Sequence, residues 1–71
     1  MTNGEIPLNT QVKLDPSSRW ASGDFKVNNP VNTVGTVVPN ESVFDNDWMS
    51  VYWSTGYRNT YHKHETDLIV L

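Results

Sequence analysis

Cysteine is absent from this chain, which excludes disulfides and thiolate-held metals as supports for the core. Histidine occurs only twice, short of the roughly four ligands a structural zinc site needs. No apolar run approaches the ~20 residues that a membrane-spanning helix requires. The segment Met1 to Leu8 has neither the basic region nor the apolar stretch of a signal peptide. Charge is sparse: eight acidic and five basic residues leave a net −3, which disfavours a surface built to track phosphates. Catalytic signatures are missing too. There is no G-x-S-x-G elbow, no G-x-x-x-x-G-K phosphate loop and no G-x-G-x-x-G turn.

What remains is a short chain with a heavy aromatic load. Seventy-one residues allow one domain, and such a chain buries only roughly 60% of the surface its unfolded form exposes. Three Trp, three Tyr and two Phe therefore carry much of the packing, since each buried ring removes about 150–250 Å² from water.

Alternation supplies the strands. Thr10 to Asp15 sets Val12 and Leu14 against Gln11 and Lys13, then stops at Pro16. Thr33 to Pro39 is rich in Val34, Val37 and Val38, and Gly35 inside it marks a bulge or a close backbone approach. Trp48 to Ser54 places Met49, Val51 and Trp53 on an apolar face, with Trp48 and Tyr52 opposite. Ser54, Thr55 and Gly56 form a hairpin connection back to Tyr57 to Tyr61. A short polar break over His62 to Thr66, read as one 3₁₀ turn, precedes a last strand from Asp67 to Leu71.

Between the first two strands, Pro16 to Asn32 is dense in Ser, Gly, Asn and Pro and reads as a long loop. Trp20, Phe25 and Val27 are expected to pin it across an open end of the sheet. Asn40 to Asp47 is a polar connector from which Val43 and Phe44 fold back on the sheet. Met1 to Asn9 reads as a loose, fraying tail.

Candidate chemistry is thin. His62 and His64 share a face on extended backbone with Glu65 and Asp67 nearby, a spacing that matches no established metal motif. Asp45 and Asp47 suit backbone bonding in a turn better than acid catalysis. Neither histidine can be tied to any of the serines as a nucleophile and base. The aromatics are the better signal: Trp20, Trp48, Tyr52 and Tyr57 suit a groove between the long loop and the third and fourth strands, with Arg58 beside Tyr57 to stack or take an acidic group.

The order of these parts resembles a small SH3-like barrel. More narrowly, Arg19-Trp20, the Gly23-Asp24 loop, Gly35-Thr36-Val37, Val51-Tyr52-Trp53, Gly56, Tyr61 and Asp67-Leu68 are similar to the Mind bomb/HERC domain of large ubiquitin ligases, over about Val12 to Leu71. The W-x-x-G-x-x-N-x-Y run from Trp53 to Tyr61, followed by D-L, also resembles short standalone proteins of bacteria and their viruses. The family loop carries more glycines and a second tryptophan where this chain has Asn28, Asn29 and Pro30. In the ligases the domain binds substrate peptides and holds no catalytic centre, so the resemblance implies binding and not ligase chemistry.

The expected fold is all-β: a small SH3-like barrel of about five strongly bent antiparallel strands with a long loop after the first. It forms a single domain over residues 10–71 behind a flexible tail over residues 1–9. The expected function is a non-catalytic protein or peptide interaction module without cofactor or metal, a phage-type accessory protein acting on a host protein in the host cytoplasm. Its binding residues are Trp20, Trp48, Tyr52, Tyr57 and Arg58. One alternative is a small-barrel nucleic-acid binder using Lys13, Arg19, Lys26, Arg58 and Lys63. The other is a structural homo-oligomer paired through the edge at Leu68 to Leu71.

Overall fold

Five antiparallel strands form one sheet: β1 (Gln11–Leu14), β2 (Gly35–Val38), β3 (Trp48–Trp53), β4 (Arg58–His62) and β5 (Leu68–Val70). The structure is a computed structural model and describes residues 1–40 and 46–71. The expected return of Val43 and Phe44 onto the sheet and the Asp45 carboxyl lie outside those residues, as does the Val27 side chain. Strand order is β4-β3-β2-β1-β5, so a three-stranded meander is extended by the first strand, which also carries the last. This is the all-β, barrel-like arrangement of five antiparallel strands expected, with its long loop between β1 and β2. Among the described residues no helix is long and apolar enough to cross a membrane.

The alternation of the sequence becomes the core. Val12 and Leu14 of β1, Val37 of β2, Met49, Val51 and Trp53 of β3, Tyr61 of β4 and Leu68 of β5 are all buried, with Ile6 from the N-terminal stretch. Gly35 marks a close approach: it pairs with Trp53 across β2 and β3, and a Cβ there would lie 2.5 Å from Trp53 Cε3 and 2.6 Å from Val51 Cγ1. The indole of the largest core residue thus occupies the space a side chain would need. At the β3–β4 hairpin, Gly56 N–H donates to the Trp53 carbonyl at 2.9 Å and Trp53 N–H to the Tyr57 carbonyl at 2.7 Å. Gly56 sits at φ 99°, the left-handed conformation a three-residue connection of this kind uses.

Two expectations change. The stretch over residues 1–9, expected to be loose, is anchored at two positions: Asn3 is completely buried and Ile6 is 6% exposed. A 3₁₀ turn, Asn3–Glu5, directs both side chains inward and is capped by Glu5 Oε1, which accepts from Thr2 N–H and Oγ1–H. The last strand also starts one residue late, because the Asp67 N–H donates to Asn3 Oδ1 and is withdrawn from the ladder. The break before it is a single hydrogen-bonded turn, in which Glu65 N–H donates to the His62 carbonyl at 3.1 Å.

Candidate functional site

The long loop folds into two 3₁₀ segments, Arg19–Ala21 and Gly23–Val27, and is tied down at both ends. At its base, Ser18 Oγ–H donates to Asp67 Oδ1 at 2.6 Å while accepting from Trp20 N–H at 3.2 Å. Trp20 and Ala21 follow directly and pack against the core. Phe25 departs from the expected pinning role. It is 54% exposed and stands edge-on to Trp20, with centroids 4.9 Å apart and rings at 81°.

The residue that anchors the far end of the loop is Asn29, which is 4% exposed. Its Nδ2–H donates back to the Phe25 carbonyl at 2.8 Å. Its Oδ1 accepts from Tyr61 O–H at 2.6 Å and from Asn59 Nδ2–H at 2.9 Å. Tyr61 in turn accepts from Trp53 Nε1–H at 3.0 Å, so an unbroken chain of donors runs from the core indole to the loop. Burial pushes the Tyr61 phenol up to about 12, against the lowering effect of the Trp53 bond and with a smaller raising contribution from the Asp67 charge. Below that pH Tyr61 is a fixed donor. In the sequence, Asn28-Asn29-Pro30 carries only a turn signal, and nothing local distinguishes the buried amide from its neighbour.

Together these ties hold open a groove of about 360 Å³ between the loop and the β3–β4 pair. Trp20 and Phe25 form one wall, Trp48 at the start of β3 the other, and Asn29 and Asn59 lie in the floor. Trp48 is steadied by an edge-on contact with His62, with centroids 5.2 Å apart. Asp24, between Trp20 and Phe25 in sequence, also faces the groove, and among the described residues no Lys, Arg or His lines it.

Two of the five expected binding residues, Trp20 and Trp48, therefore meet in one groove, while Tyr52, Tyr57 and Arg58 do not line it. Tyr52 is 50% exposed and lies opposite Arg58 in the strand register. Tyr57 is half-exposed at the hairpin end, and Arg58 Nη2–H donates to the Pro39 carbonyl at the end of β2. The groove members that sequence reasoning missed are Asp24, Phe25 as a wall, and the asparagine floor.

The other candidates are dispersed. The His62 and His64 rings lie 5.1 Å apart, with His62 Nδ1 accepting the His64 N–H, and among the described residues no three His, Asp or Glu side chains converge. Asp15 serves its own turn, where the Ser17 N–H and hydroxyl hold its carboxyl below the usual range. Among the basic residues, Arg19 lies over its neighbour Trp20, and Lys63 packs against Gly4. Ile69, Val70 and Leu71 are exposed along the β5 edge. Compared with family models, with curated proteins and with solved structures, the chain gives no match.

Proposed function

We propose that this chain is a non-catalytic protein or peptide interaction module whose docking surface is the groove walled by Trp20, Phe25 and Trp48. The observation that carries the reading is Phe25, a large apolar ring held more than half exposed by a loop that is itself firmly tied. Rings fixed in advance lose little freedom on binding, which is why aromatic anchors around a preformed groove dominate peptide recognition. The resemblance to a Mind bomb/HERC-type domain in standalone, phage-type form agrees with it and suggests a host protein as partner in the host cytoplasm.

Peptide-display selection against the intact protein, with counter-selection on Phe25→Ala, tests the proposal. Selected peptides are expected to lose about tenfold or more in affinity on Phe25→Ala. Peptides that bind wild type and variant equally would remove the groove as the docking surface. Retention of a single-stranded oligonucleotide, with affinity falling steeply as salt rises, would transfer the proposal to nucleic acid.

A further inference from the structure

Resting on that reading of the groove, we infer that its occupant is an alkylammonium group on an apolar stem: a lysine side chain, free or N-methylated, presented by a partner peptide. The first support is ring geometry. Trp20 and Phe25 meet edge-on at 81° with centroids 4.9 Å apart, and both line the groove together with Trp48. Rings set at right angles surround a compact, round cation, whose charge is attracted to the electron-rich faces. A planar guanidinium instead lies flat on one face. Within the chain itself the Arg19 guanidinium lies over the Trp20 ring, with Cζ 4.7 Å from its centroid. Arg19 lines a separate hollow with Ser17, Ser18 and Glu65 and is not among the described residues that line the groove.

The polar groups point the same way. Asp24 faces the groove with no hydrogen-bond or ion-pair partner among the described residues. The floor amides have little to offer an anion, because Asn59 Nδ2–H donates to Asn29 Oδ1 and the Asn28 carbonyl, and Asn29 Nδ2–H to the Phe25 carbonyl. Aromatic side chains and the Asp24 carboxylate, with no basic residue among the described lining residues, complement a cation, and the chain's net −3 charge favours its approach. A volume of about 360 Å³ lies at the low end of ligand sites, enough for one long side chain and its flanking backbone.

The test follows the three indole N–H signals of the intact 71-residue protein by NMR during titration with capped trimethyllysine, capped lysine, capped glutamate and the neutral carbon isostere of trimethyllysine. The expected result is movement of Trp20 and Trp48 with the buried Trp53 unmoved, and about tenfold tighter binding of trimethyllysine than of its isostere. Asp24→Asn, at an exposed position, is expected to weaken the cation about threefold or more and leave the isostere unchanged. Equal binding of the isostere with the same indole shifts would overturn the cation while leaving the groove reading intact. Silence of Trp20 and Trp48 toward all four probes, alongside displayed peptides that depend on Phe25, would do the same. Silence together with failure of the display selection would remove both.

Discussion

Asn3 and Asp67, 64 positions apart, bond to each other twice inside the protein. Asn3 Nδ2–H donates to Asp67 Oδ2 at 3.0 Å, and Asp67 N–H donates to Asn3 Oδ1 at 3.0 Å. The same Oδ1 accepts from Leu68 N–H and the same Nδ2 donates to the His62 carbonyl, so one buried amide joins the N-terminal turn to the entry of β5. Because the other side-chain oxygen of Asp67 accepts from Ser18, the clasp also sets the base of the groove-forming loop.

Replacing Asn3 by Ala strands two backbone N–H groups and one buried side-chain oxygen of Asp67. Each unsatisfied buried group costs on the order of 1–3 kcal/mol, so a total loss of about 2–4 kcal/mol is expected. Urea denaturation reads it directly. A loss within about 0.5 kcal/mol would show that the clasp adds nothing beyond what water provides.

Ser18→Ala removes a hydroxyl that bonds on both sides, to Asp67 and to Trp20 N–H. The expected cost is about 1–2 kcal/mol. The more specific readout is hydrogen exchange, in which the Trp20 amide loses protection ahead of amides in β3. Uniform loss across the protein would mean that the loop has no stability of its own to lose.

Gly35→Ala puts a methyl 2.5 Å from the Trp53 ring. With both β2 and the indole held by the sheet, the clash is expected to cost about 1–3 kcal/mol and to alter the Trp53 near-ultraviolet dichroism. Unchanged stability would mean that β2 can move away from β3 without loss.

The Tyr61 phenol links the groove floor to pH. An unfolded tyrosine ionises near about pH 10. Burial raises the folded value to about 12, so between those values the folded state holds the proton that the unfolded state has released. Stability therefore falls with pH across that window, being fully present below about pH 10 and lost as pH rises through about 12. Denaturant midpoints measured from neutral to alkaline pH should show this decline in the wild type and a shallower one in Tyr61→Phe. Parallel slopes in the two proteins would place the alkaline sensitivity elsewhere.

Much of the sheet was legible because strand signals are local. Met49, Val51 and Trp53 announce a buried face through spacing alone, and Gly35 and Gly56 announce positions where a side chain does not fit or the backbone turns left-handed. The groove was half legible. Trp20 and Trp48 stood out as aromatics, but Tyr52 and Tyr57 stood out equally and lie away from the groove. Residue type does not reveal which ring a loop will bring beside which strand.

The sequence by itself determined the five strands and the apolar inward residues of β1 and β3, since each depends on neighbours a few residues apart. Only the tertiary structure decided that Asn3 is buried, that Asn29 anchors the loop and that Asp24 and Phe25 join Trp48. Those outcomes depend on hydrogen bonds spanning 64 residues for Asn3 to Asp67 and 32 for Tyr61 to Asn29. A polar side chain is buried only where the folded chain supplies its partners, and partners that distant leave no trace in the local pattern.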